Sequence, residues 1–85
     1  MLITVEEARE WLRLDNSDND VNISGLIESA EEYITLTTGM SADMQELSSL
    51  AKTACKFLLS LWYDPEQADS DKLQRSIDNL LKALS

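Results

Sequence analysis

The sequence predicts an all-α fold, and three observations support this prediction. Apolar residues recur at three- and four-residue steps through most of the chain, which is the spacing of one helix face. Only two glycines and one proline are present, too few for the tight turns of a sheet protein of 85 residues. Apolar residues make up 44% of the chain and charged residues 27%, as in folded proteins. We expect a single domain, residues 1–85, built as a small bundle of about four helices around a long third helix.

The first helix is predicted to begin after Thr4. Glu7 follows three residues later, and this Thr-x-x-Glu spacing is typical of a capping box. The helix continues to Leu12 and presents Val5, Ala8 and Trp11 on one face. Because it is so short, it needs packing against the rest of the chain to be stable.

The acidic run Asp15–Asp20 has the alternating Asp and Asn residues of a calcium loop. An EF-hand needs glycine at the sixth loop position and glutamate at the twelfth. Counted from Asp15, those positions hold Asp20 and Leu26, so both requirements fail. We therefore expect a structural turn in which Asp20 or a neighbour caps the next helix.

The second helix is predicted over residues 20–38 and ends at Gly39, which suits a left-handed C-terminal position. Its apolar stripe contains Ile23, Leu26, Ile27, Ala30, Tyr33, Ile34 and Thr37. Glu28, Glu31 and Glu32 lie on or beside the opposite face with no basic residue to pair with them. Gly25 either lets another helix approach closely or is simply tolerated.

The third helix is expected to begin at Ser41 or Asp43 and to reach Tyr63, a length of about 30 Å. Its stripe comprises Leu47, Leu50, Ala51, Ala54, Leu58, Leu61 and Trp62. Pro65 ends the helix, and residues 64–69 form a polar loop. Ser70 or Asp71 then caps a fourth helix, whose apolar face holds Leu73, Ile77, Leu80, Leu81 and Leu84.

The net charge of −9 lies entirely in the first half of the chain. Residues 1–46 hold eleven acidic residues and two arginines, whereas residues 47–85 hold five acidic and five basic residues. Phosphate binding depends on Lys and Arg, so this distribution argues against nucleic acid as a ligand of the first half. Two interpretations remain open: a well-solvated surface, or one that faces a basic partner or keeps passing DNA from sticking.

The residue types needed for catalysis are missing. The chain has no histidine, no Gly-rich phosphate loop and no cysteine cluster, so we expect no enzyme activity, no cofactor and no metal. Cys55 is the only cysteine and lies in an apolar run, where core packing is its expected role. The first residues are unlike a signal peptide, and no apolar run approaches the roughly 20 residues of a membrane span. We expect a cytoplasmic protein.

The order of elements resembles the small head–tail connector (adaptor) proteins of long-tailed bacteriophages. The matching segments are Thr4–Ala8, Trp11–Asp15, the turn Asp18–Asp20, then Leu26-Ile27, Ala30, Tyr33-Ile34, Thr38-Gly39 and Leu58–Asp64. The resemblance implies a structural subunit, from an active phage or a prophage, that assembles with itself into a ring of about a dozen copies beneath the portal. Such a ring extends the DNA channel without sequence-specific DNA binding and is the platform for the next connector, stopper or tail protein.

The same resemblance implies assembly in the host cytoplasm and a final place at the head–tail junction of the virion. We expect subunit contacts around Phe57, Trp62, Tyr63 and Leu81, since the aromatic and apolar groups near residues 62–63 are more than a small monomer is expected to cover. The chain departs from the family where the acidic segment 64–66 replaces a basic residue after the aromatic pair. Two alternative functions are an acidic DNA-mimic inhibitor and a small helical adaptor that binds a partner helix.

Overall fold

The computed structural model describes residues 1–63 and 69–85, and the described part of the chain is all-α with no strand. The helices are α1 (Val5–Leu12), α2 (Asp20–Thr38), α3 (Ala42–Glu46), α4 (Ser49–Tyr63) and α5 (Ser70–Leu84). They form one small bundle, which confirms the predicted fold class. The predicted end of the third helix at Pro65 and most of the predicted loop 64–69 lie outside the described residues.

The predicted capping box begins α1. The Glu7 backbone N–H donates to Thr4 Oγ1 at 3.0 Å, and the Thr4 N–H donates to Glu7 Oε1 at 3.3 Å. The helix ends at Arg13, which has a left-handed conformation (φ 58°) and donates its N–H to the carbonyls of Arg9 and Glu10. Local sequence therefore defines both ends of this helix.

The acidic run is a turn, as predicted, and its side chains bond within the protein. Asn16 Oδ1 accepts a hydrogen bond from the Asp18 N–H at 3.1 Å. Asn19 occupies the N-cap position of α2, but its side chain makes no capping bond. Its Nδ2 donates instead to Tyr63 Oη at 2.9 Å, and Asp20 pairs with Arg9. The side chains expected to cap α2 therefore make tertiary contacts instead.

The two glycines of α2 play different roles. Gly39 has φ 78° and donates its N–H to the Thr35 carbonyl, so it ends the helix as predicted. Gly25 is exposed, and a Cβ atom added there would meet nothing within 4 Å. Within the described chain, therefore, no close approach of another helix requires glycine at position 25.

The predicted third helix is present as two pieces, α3 and α4, separated at residues 47–48. Ser48 Oγ accepts from the Ala51 N–H at 3.2 Å and so caps a new helix. Gln45 is fully buried, and its Nε2 donates to Thr35 Oγ1 at 2.7 Å and to the Met40 carbonyl at 3.1 Å. These bonds fix α3 against α2. As a result α2, with 19 residues, is the longest helix in residues 1–63 and 69–85, and the described part of α4 has 15.

The core forms where α4 packs against all four other helices. Its fully or nearly fully buried members are Leu2, Ile3, Ala8, Ile23, Ile27, Ala30, Ile34, Ala51, Ala54, Cys55, Leu58, Leu59, Ile77 and Leu81. Helix α4 is therefore the central element, as predicted for the third helix. Helix α5 begins one residue earlier than expected, because Asp69 Oδ1 accepts from the Lys72 N–H at 3.2 Å.

Candidate interaction surfaces

The aromatic side chains predicted to be surplus are largely covered within the chain. Trp62 meets Tyr33 edge-on, with ring centroids 5.9 Å apart and planes at 87°. Tyr63 accepts the hydrogen bond from Asn19, and both Trp62 and Tyr63 are half-buried against the core. The expectation that a monomer leaves this pair uncovered was therefore wrong, because α2 and the acidic turn reach across it.

The other two predicted contact residues lie in different environments. Leu81 is only 8% exposed and belongs to the core. Phe57 is half-buried beside Trp11, with ring centroids 6.1 Å apart. The structure thus does not bring the four predicted residues together as one exposed patch.

A groove of about 580 Å³ lies between the C-terminal end of α1, α4 and the first turns of α5. Phe57 and Tyr63 line it, whereas Trp62 and Leu81 are not among its lining residues. Trp11 forms one wall, and its Nε1 donates to Ser60 Oγ at 2.7 Å. Lys56 Nζ lies 5.7 Å from the centroid of the Trp11 ring, so a cation–π contact holds this wall as well.

The three predicted acidic-surface residues of α2 divide into two groups. Glu28 and Glu32 are exposed, whereas Glu31 is half-buried. The Glu31 carboxylate accepts a hydrogen bond from the Leu2 N–H, which fixes the N-terminal segment against α2. Glu31 therefore has a structural role, and Glu28 and Glu32 alone belong to the open surface.

Exposed apolar residues lie where the periodicity did not place them. Val21 is 87% exposed and Leu36 78%, and both lie on α2 outside its buried stripe. Leu47 is 90% exposed and Leu50 46%, although both were assigned to the apolar stripe of the third helix. The assignment of Leu47 was wrong because the chain breaks at residues 47–48, whereas Leu50 lies within α4 at the exposed edge of its apolar face. The exposure of Val21 and Leu36 could have been predicted, because each is an apolar residue outside the main apolar stripe of α2.

Helix α5 carries three exposed cations, Lys72, Arg75 and Lys82. Within residues 1–63 and 69–85 the ion pairs are the Met1 amine with Glu46, at 3.5 Å, and Arg9 with Asp20, at 3.1 Å. The cations of α5 thus have no carboxylate of the described residues within 4 Å. Sequence analysis counted these charges but did not recognise them as one face.

No reactive group stands out in the part of the chain that the structure describes. Cys55 is fully buried, and burial, with a smaller contribution from Glu31, raises the pKa of its thiol to about 12. The thiol is therefore protonated and shielded. No cluster of three metal-ligating side chains occurs in the described ranges, and no helix there is long and apolar enough to cross a bilayer.

These features define a small helical protein with exposed apolar and charged residues on its surface. A sequence model of the family described as "Phage gp6-like head-tail connector protein" matches residues 2–84. The match covers nearly the whole chain, and the protein belongs to this family. The family is structural and acts at the junction between phage head and tail, where portal and tail proteins are its neighbours. Searches of curated proteins and of solved structures found no significant match.

Proposed function

We propose that this protein is one subunit of a closed ring that lies beneath the portal of a phage head. The ring extends the DNA channel and is the platform for the next head-completion, stopper or tail protein. Family membership supports the connector role. The observation that carries the assembly step is the exposure of large apolar side chains on a domain of only 85 residues.

Val21, Leu36 and Leu47 are each more than three-quarters exposed. A single exposed leucine is ordinary, but three such residues, with Met1, Met44 and Leu50 also 46–56% exposed, are a considerable apolar surface for a small protein. Covering such residues in neighbouring copies removes apolar area from water, at about 25 cal/mol per Å². Repeated head-to-tail contacts of this kind close into a ring when the rotation between subunits allows it.

Two groups of residues are proposed to meet other subunits or the passing DNA. The groove lined by Phe57 and Tyr63 is one candidate contact, whereas Leu81 belongs to the core and Trp62 packs against it. The exposed acidic surface, Glu28 and Glu32, either lines the channel and repels the DNA backbone or faces a basic partner. Glu31 adds its negative charge to this acidic surface, but its carboxylate is bonded to the Leu2 N–H.

Assembly is proposed to take place in the cytoplasm of the host bacterium, before the subunits become part of the virion. The experiment that tests the proposal is the mass of the purified protein over a range of concentrations, by light scattering and native mass spectrometry. We expect a closed species of about a dozen subunits, visible as rings in electron micrographs. A strict monomer at high concentration would remove the support for self-assembly and favour an acidic inhibitor or a monomeric adaptor.

A further inference from the structure

The outer face of α2 combines apolar and acidic residues in one stripe. Val21, Gly25, Glu28, Glu32 and Leu36 follow one another at steps of three or four residues and are all exposed. They lie opposite the buried positions of the same helix, Ile23, Ile27, Ala30 and Ile34. We call these five residues the α2 stripe. Its two ends are apolar, its centre is acidic, and α2 has no Lys or Arg to neutralise it.

The outer face of α5 has the complementary charge. Lys72, Arg75, Asn79 and Lys82 follow one another at steps of three, four and three residues, and all four are exposed. We call them the α5 stripe. The acidic residues of the helix, Asp71 and Asp78, lie beside this stripe, and Asp78 accepts a hydrogen bond from Gln74 Nε2 at 3.0 Å.

The α5 stripe is shorter than the α2 stripe. Lys72 and Lys82 are about 15 Å apart along their helix, and Val21 and Leu36 are about 22 Å apart along theirs. The cations of α5 therefore fit between the apolar ends of the α2 stripe. Asn79 adds a polar group without charge at the centre.

The stripes cannot pair within one chain. Helices α2 and α5 both contribute buried residues to the same core, Ile23 and Ile27 from one and Ile77 and Leu81 from the other. Each stripe lies on the side of its helix away from that core, so the two point in different directions. Accordingly, no ion pair joins α2 to α5 among the described residues.

We propose that the α2 stripe of one subunit docks on the α5 stripe of the next copy of this chain. This assignment rests on the proposed ring. Of the two proposed roles for Glu28 and Glu32, it favours contact with a basic partner over lining the DNA channel. Two different patches meet in this contact, so it is heterologous and propagates around a ring. Val21 and Leu36 pack beside the aliphatic stems of Lys72 and Lys82, the two ends of the α5 stripe, while the charges set register and partner choice.

Two charge-reversal variants test the pairing. In Glu28→Lys/Glu32→Lys both stripes are cationic, and in Arg75→Glu/Lys82→Glu both are acidic. Each variant alone should remain monomeric where the wild type is assembled, with an apparent dissociation constant at least about tenfold higher. An equimolar mixture should assemble again, since every contact between unlike variants then joins opposite charges. Assembly of the wild type should weaken as salt is added.

The matched control is Asp15→Lys/Asp18→Lys, which changes the net charge by the same amount in the turn before α2. It should assemble like the wild type. Circular dichroism checks that each variant is folded. If a reversal unfolds the chain, the neutral pair Glu28→Gln/Glu32→Gln takes its place and should lose most of the salt dependence of assembly.

Three results would overturn the proposal, and they affect the proposed function differently. If each folded reversal variant still forms rings alone, the ring stands but uses other surfaces. If both are monomeric and their mixture stays monomeric, the stripes contact something other than each other. If the wild type itself never assembles, both the pairing and the support for a self-assembling ring are lost.

Discussion

Arg9 of α1 and Asp20 of α2 form an ion pair across the acidic turn, with Nε and Oδ1 3.1 Å apart. The two side chains are 27% and 34% exposed, so the pair is partly shielded from solvent. It closes the first two helices into a hairpin and uses the only arginine of α1. The carboxylate of Asp20 also lies in the first turn of α2, where its negative charge interacts favourably with the positive end of the helix dipole.

Removing this ion pair should loosen the hairpin. Arg9→Met keeps the aliphatic stem and removes the charge, and we expect a loss of about 0.5–1 kcal/mol in the free energy of unfolding, measured by urea titration. Asp20→Asn should cost a similar amount, and the double variant should cost less than the sum of both. If the losses in the free energy of unfolding of the two single variants simply add, the ion pair contributes nothing to stability.

Gln45 is predicted to be the most sensitive polar residue of the chain. Its buried Nε2 donates to Thr35 Oγ1 and to the Met40 carbonyl, and the bond to Met40 is shielded from water. Gln45→Ala should lower the free energy of unfolding by about 1–3 kcal/mol. The exposed neighbour Asp43→Asn is the control and should change it by less than about 0.5 kcal/mol. Equal effects at the two positions would contradict the anchoring role of Gln45.

The two glycines should respond in opposite directions to alanine. Gly39→Ala places a Cβ on a residue with φ 78° and should destabilise the protein by about 1 kcal/mol. Gly25→Ala meets nothing within 4 Å in an exposed helix interior and should stabilise the monomer by up to about 1 kcal/mol. Thermal unfolding of the two variants beside the wild type measures both effects. Destabilisation by Gly25→Ala at monomeric concentrations would contradict the open environment of position 25.

Cys55 should be inert in the folded protein. Because burial raises the pKa of its thiol to about 12, a thiol reagent should react with native protein only through unfolding, and rapidly in denaturant. The folded state holds this proton more tightly than the unfolded state, whose thiol has the ordinary pKa of 9.0. The stability linked to this thiol is thus intact below pH 9.0 and falls as the pH rises toward 12. Fast labelling of native protein near neutral pH would show that Cys55 is accessible.

Local sequence signals predicted most of the secondary structure. The Thr4–Glu7 capping box and the terminal Gly39 depend on hydrogen bonds and backbone preferences of residues close in sequence, and both occur as expected. The buried face of α2 follows from its apolar periodicity, because a stripe of that width must pack against something. The scarcity of glycine and proline likewise predicted an all-α protein.

Tertiary structure decided what lies on the surface. Gln45 is held by partners ten residues earlier in α2 and by the turn, and Ser48 starts a new helix, so Leu47 turns outward. Periodicity alone cannot show such a break, because Leu47, Leu50, Ala51 and Ala54 continue at helical spacing across it. The sequence by itself determined the fold class, the capped start of α1 and the end of α2 at Gly39. Long-range contacts decided that Trp62 packs against Tyr33 and that Glu31 is bonded to Leu2, while Glu28 remains exposed. The reason is physical: caps and stripes are local, whereas burial depends on which helix lies opposite.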